Sequence, residues 1–286
     1  MFSKLLKHEW KANWGLMSIL TMAAVGVGIL GTIALRVLVN YGDMISESES
    51  FLVLLLFPLG MLVFARFVSL VIYVVAVSYV LLFRFYKNKF TDEGYLTFTL
   101  PVNSHQIFLS SALNMLIWWV ISIVLMVILF ACMILFGTAT DGLVNMDIIR
   151  SFKNMEYVWE ALGEIFGQIL GDSYGVLGLV TVVVTPVYSV VLWMTCITLG
   201  AVVAKKHKIL AAIGISYGAN VVLNIVSSVV SVLPSLILIG NPNPGEAEMQ
   251  AYFTLSSVVQ LVLLAGVAVG GYFLSTHLMK HKLNLP

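Results

Sequence analysis

The sequence predicts an all-α integral membrane protein with six transmembrane helices and both termini on the cytoplasmic side. Three observations lead there. Of 286 residues, 60% are apolar and only 10% charged, against roughly 25% charged in a soluble domain, and the mean hydropathy is +1.02. The apolar residues gather into six blocks, 15–39, 51–83, 106–136, 173–204, 209–239 and 251–276, each at least the roughly 20 residues that a crossing helix needs. Finally, the charges between blocks are segregated by sign. Eleven of the fifteen Lys and Arg residues lie at the two termini and in two loops, and eleven of the fourteen Asp and Glu residues lie in the other three loops. Basic flanks stay on the cytoplasmic side of a bilayer, and lipid offers free backbone groups no partner, so the spans are helical.

The elements follow in order. At the N-terminus Phe2, Leu5, Leu6, Trp10 and Trp14 fall near one face and Lys4, Lys7 and Lys11 on another, the pattern of an interfacial helix over 1–13 on the inner leaflet. The apolar run 15–39 is too long for a cleaved signal core of roughly 7–15 residues and reads as the first span. Asp43, Glu47 and Glu49 then mark the outside. In block 51–83, Pro58 and Gly60 predict a broken or tilted outer portion over 51–60, with the span proper over about 60–84. Arg84, Lys87 and Lys89 return the chain to the inside, and 84–105 is a cytoplasmic loop. The third span covers 106–136.

The outer loop 137–172 carries six acids and only Arg150 and Lys153 as bases. In it Ile149, Phe152, Met155 (or Glu156), Trp159, Leu162, Phe166 and Ile169 recur every three or four residues, which predicts an amphipathic outer helix. Spans four and five, about 173–204 and 209–233, flank the inner Lys205, Lys206 and Lys208. Pro234 and the turn Asn241-Pro242-Asn243-Pro244-Gly245 make 229–250 a candidate for dipping into the outer leaflet and returning. Span six, 251–276, ends at the inner Lys280 and Lys282.

The sequence also excludes chemistries. It has no phosphate-cradling loop and no His-Glu-x-x-His, and no basic nucleic-acid face. Cys132 and Cys196 lie inside apolar blocks and read as packing residues, with neither a disulfide nor a metal site around them. No Asp, Glu or Lys falls at depth in a span, where an intramembrane protease or proton-coupled carrier would place one. Gly171-x-x-x-Gly175, Gly214-x-x-x-Gly218 and Gly266-x-x-x-Gly270 allow close helix approach. Arg66 stands about five helical turns before Arg84, near the outer interface, where it is read as structural or snorkelling, or as lining a pathway. Trp118 and Trp119, inside the third block, and Asn220 and Asn224, four residues apart on the fifth, are the other pathway candidates.

The stretch 84–106 is the most distinctive. Thr91 or Asp92 is placed to cap a short helix that Pro101 stops, and Asn103 with Gln106 resembles a capping pair opening the third span. Tyr95, Leu96 and Phe98 then stand at the cytoplasmic surface. Around them Glu93, Thr97, Leu100 and Pro101 match the loop between spans two and three of ABC-2-type ATP-binding-cassette permease subunits, and the wider string Thr-Asp-Glu-Gly-Tyr-Leu-Thr-Phe-Thr-Leu-Pro-Val resembles Gram-positive bacterial permeases. Gly94-Tyr95 stands where that family often has Arg and Gly, and Ser110 and Ser111 where a lysine usually follows.

The resemblance implies a membrane permease subunit of an ATP-driven exporter in the plasma membrane of a bacterium, surrounded by lipid and paired with an identical or related subunit. Asp92, Glu93, Tyr95, Leu96, Phe98, Leu100 and Pro101 would dock on a separate cytoplasmic ATPase. That partner would hold ATP and magnesium, and this chain no cofactor. Two other readings stay open on the residues: a self-sufficient carrier or channel, and a non-transporting membrane sensor or scaffold.

Overall fold

The computed structural model describes residues 2–47, 53–91, 94, 102–139, 163–164, 167, 170–171, 173–204, 207–236 and 244–281. Every regular element among them is helical: α1 (Phe2–Glu47), α2 (Val53–Phe90), α3 (Ser104–Cys132) running on into a wide π-helical turn (Met133–Gly137), α4 (Ser173–Val203), α5 (Lys208–Val230), the single turn α6 (Val232–Ser235) and α7 (Glu246–His281). Six helices are long and apolar enough to cross a membrane, over Phe2–Tyr41, Leu56–Phe90, Ser104–Gly137, Gly175–Val203, Lys208–Ser235 and Glu246–His281. The chain is an all-α, multi-pass membrane protein.

Several boundaries differ from the sequence reading. The interfacial helix 1–13 and the first span are not separate: α1 is one helix of 46 residues, about 69 Å long at 1.5 Å per residue. Nothing between Lys11 and the apolar run breaks it, since Gly15 alone weakens a helix by only about 1 kcal/mol. The break expected over 51–60 is also absent from Val53 onward, because α2 runs through Pro58. That proline removes one backbone bond, to the carbonyl of Leu54 in the first turn, and the rest of the ladder continues.

Pro234 acts as expected but four residues early. A proline clashes with the carbonyl at i−4, here Val230, and α5 stops there. Within the segment 229–250, α6 ends at Ser235 and α7 begins at Glu246, and residues 237–243, where the dip into the leaflet is expected, lie outside the described residues. The N–H of Gly245 donates to Glu248 Oε2 at 3.2 Å, the reciprocal half of a capping box, and Glu246 and Glu248 sit favourably in the first turn. The amphipathic helix predicted in 137–172 lies mostly outside the described residues.

The chain divides into two compact units. One comprises Met1–Leu6, Leu82–Leu116 and Glu160–Pro286, the other Lys7–Leu81 and Ile117–Trp159. In the second unit, Arg66, Leu70, Tyr73, Val77 and Leu81 form a buried stripe at helical spacing on α2. The face of α1 that meets it is built from small residues, with Ala24, Gly28, Gly31 and Ala34 all buried. In the first unit α4 packs on both α5 and α7. There a Cβ on Gly200 would stand 2.5 Å from the backbone nitrogen of Ala212, and one on Gly271 would stand 2.9 Å from Thr195 Oγ1.

Among the described residues, the glycines at which a Cβ would crowd a neighbour include Gly28, Gly31, Gly137, Gly200 and Gly271. Gly171, Gly214, Gly218, Gly266 and Gly270 have open space where a Cβ would go.

Candidate functional site

The two helix ends that carry the loop 91–103 are fixed by aromatic packing. On the last turns of α2, Phe85 and Phe90 are buried and meet edge to face at 5.6 Å between ring centroids. Tyr86 stacks on Phe90 at 6.4 Å. Phe85 also meets Phe108, on the first turns of α3, edge to face at 6.4 Å. Phe108 in turn meets Tyr272 of α7 at 5.6 Å, and the Tyr272 hydroxyl shares a hydrogen bond with His105 Nδ1 at 2.9 Å. Such ring pairs add about 0.5–1.5 kcal/mol each beyond the area they bury. The first unit thus joins the ends of α2 and α3 to α7 at one level.

A second tie reaches α5. Lys208, its first residue, donates from Nζ to the carbonyl of Phe90 at 3.3 Å. That carbonyl ends α2 and lacks a helical partner, and a cation at a helix C-terminus is favoured by the helix dipole.

At the loop itself, the Thr91 hydroxyl turns back to the Lys87 carbonyl at 2.5 Å, at the end of α2. The N–H of buried Gly94 donates to Thr91 O at 2.8 Å. On the far side Asn103 O accepts from the N–H groups of Gln106 and Ile107 at 2.8 and 3.2 Å, opening α3. The coupling residues named from sequence (Asp92, Glu93, Tyr95, Leu96, Phe98, Leu100 and Pro101) lie outside the described residues. Ser110 and Ser111, where the permease pattern has a lysine, are both buried; the Ser110 hydroxyl donates to Ile107 O at 3.0 Å.

The pathway candidates fall into three places. Arg66 does not snorkel: it is 0% exposed, and its guanidinium donates from Nη1 to the carbonyl of Gly28 on α1 and from Nη2 to that of Leu129 on α3. The Gly28 carbonyl also accepts from the Thr32 hydroxyl at 2.9 Å. Leu129 lies one turn before the π-helical segment, whose wider winding loosens the i to i+4 ladder and leaves a carbonyl for Arg66. Arg66 Nε has no partner.

Trp118 is buried and stacked on Trp10 at 4.6 Å and 15°, with the half-exposed Trp14 at 6.0 Å. It is a packing residue between α1 and α3. Trp119 is only partly buried. Asn220 and Asn224 bond their own helix, Asn220 Nδ2 to Ser216 O and Asn224 Nδ2 to Asn220 O, each at 2.8 Å.

Among the described residues no group of three or more His, Cys, Asp or Glu side chains is placed to hold a metal. Sequence reasoning missed Lys208, His105, Tyr272 and the phenylalanines as a group. Only the clustering of aromatics at both ends of the loop 84–106 signalled them. Comparison with family models, with curated proteins and with solved structures found no match.

Proposed function

We propose that this chain is the permease subunit of an ATP-driven exporter, working with a second permease subunit and a separate cytoplasmic ATPase. The observation that carries the reading is the stretch 84–105. It holds Glu93, Thr97, Leu100 and Pro101 in the pattern of an ABC-2 coupling loop, and its two stalks are tied by aromatic packing to α7 and by Lys208 to α5. A loop held in this way passes a push on its tip to several spans together. The charge segregation supports the same orientation, with termini and loop on the side where ATP is available. The chain carries no phosphate-cradling motif, so hydrolysis belongs to the partner. The setting is the plasma membrane of a bacterium.

Two measurements test this. Tyr95→Ala with Phe98→Ala should reduce co-purification of the ATPase at least tenfold while the permease still reaches the membrane; undiminished association would overturn the assignment. Glu93→Cys should react with a membrane-impermeant thiol reagent in inverted vesicles and stay unlabelled in intact cells. Labelling from outside would reverse the topology and end the reading.

A further inference from the structure

The end of α7 carries a pair of histidines. His277 and His281 stand four residues apart, on one face of the helix, and both are exposed. Their rings stack, with centroids 4.6 Å apart and planes at 29°. Neither residue has a part in the aromatic ties around the loop 91–103.

The ring nitrogens are set up as ligands. His281 Nδ1 lies 3.3 Å from the carbonyl oxygen of His277. A carbonyl only accepts, so Nδ1 carries the proton, and the lone pair of the neutral ring is on Nε2. Metal-binding imidazoles are commonly held this way, with the other N–H on a backbone carbonyl. Two nitrogens on one ion, each about 2.0–2.1 Å from it, stand roughly 3 Å apart. Rings with centroids 4.6 Å apart reach that spacing by turning about their own side-chain bonds. The same four-residue spacing brings two histidines onto one ion in helical zinc motifs.

The surroundings also favour an ion. α7 ends at His281. The carbonyls of a last turn lack helical partners and form the negative end of the helix dipole, where a cation is favoured. Lys280 is exposed, and its long stem carries the ammonium into water. On the opposite face Ser275 and Met279 are buried, which holds the helix in place behind the histidines.

We propose that His277 and His281 bind a divalent transition ion that takes imidazole, such as zinc or copper(II), and that the ion bridges the two rings and closes the last turn of α7. No third His, Cys, Asp or Glu among the described residues completes the site, so water fills the remaining positions and the ion is exchangeable. The site stands whether or not the chain serves a transporter.

The test uses the purified full chain without a polyhistidine tag, titrated with zinc against a chromophoric chelator. The chain should take up one zinc ion, and zinc should slow amide exchange over residues 278–281 several-fold. Loss of an outer-shell partner alone costs a metal site about 10–100-fold in affinity, so His277→Gln and His281→Gln should each weaken binding by about tenfold or more. Both side chains are exposed, so glutamine leaves the packing intact. His8→Gln, at an exposed histidine of α1, should change nothing. Zinc uptake that survives both substitutions would be an adventitious ion elsewhere on the chain and overturns the site, as does no uptake at all. Weakening by only one of the two substitutions, or exchange at the end of α7 that zinc leaves unchanged, means a single ligating ring and overturns the bridge.

Discussion

Arg66 and Asn224 are both polar groups at membrane depth, and the fold treats them in opposite ways. Arg66 is buried and spends two guanidinium nitrogens on carbonyls of two other helices. Asn224 is exposed and spends one N–H on its own helix. The first bond set holds three helices of a single chain together. The second stays within one helix. A polar residue in a span is therefore informative only with its partners: one at 0% exposure is internal architecture, and one bonded to its own helix holds no second helix by that bond.

The largest effect should come from breaking the Arg66 clamp. A buried charge is costly once its partners are reduced, so Arg66→Lys, which keeps the charge but cannot span both carbonyls, should destabilise the chain by about 3–5 kcal/mol. Arg66→Met removes two charge-assisted bonds, each contributing about 1.5–3 kcal/mol, but also removes the charge, and should cost about 2 kcal/mol. Equilibrium unfolding in mixed micelles reads both. If lysine proves milder than methionine, the site is wetter than its burial indicates and the contrast with Asn224 collapses.

Crowding the clamp should cost less. A Cβ on Gly31 would stand 2.6 Å from Arg66 Cβ, at the rigid base of that side chain. Overpacking of this kind costs about 1–3 kcal/mol, so Gly31→Ala should lower stability by about 2 kcal/mol in the same assay. Gly218→Ala, near Asn220 and Asn224 on α5, meets open space and should instead gain about 0.5–1 kcal/mol from helix propensity. Opposite signs for the same chemical change would show that α1 is shaped around Arg66 and that α5 at Gly218 meets open space among the described residues.

How much of this was legible in the sequence follows from the same physics. The six spans were, because hydropathy and charge segregation act over many residues at once. The helix joins were less so: Pro58 and Gly60 read as a break, yet a single weak residue does not end a helix whose neighbours all favour it. Arg66 read as structural or snorkelling, or as lining a pathway, and the sequence could not choose between them because its partners are backbone carbonyls of Gly28 and Leu129, which no side-chain pattern announces. Only the small residues of α1, Ala24, Gly28, Gly31 and Ala34, hinted that something large packs there. The aromatic ties around the loop 91–103 join residues far apart in the chain, Phe85 to Phe108 to Tyr272, and needed the fold to appear. Asn220 and Asn224 were legible as a pair on one face, but not the fact that each bonds its own helix.

The smallest expected effect sharpens the comparison most. Within one chain, Asn224 contributes a bond to the Asn220 carbonyl, which already serves the helix ladder, and such local side-chain bonds do not favour helices. Leucine is the better helix former by a few tenths of a kcal/mol and suits an exposed position in a span. Asn224→Leu should therefore leave the stability of the detergent-dispersed monomer unchanged within about 0.5 kcal/mol, or raise it slightly. A monomer destabilised by about 2 kcal/mol or more would mean that Asn224 holds its own chain together, as Arg66 does, and the distinction between the two residues would fall.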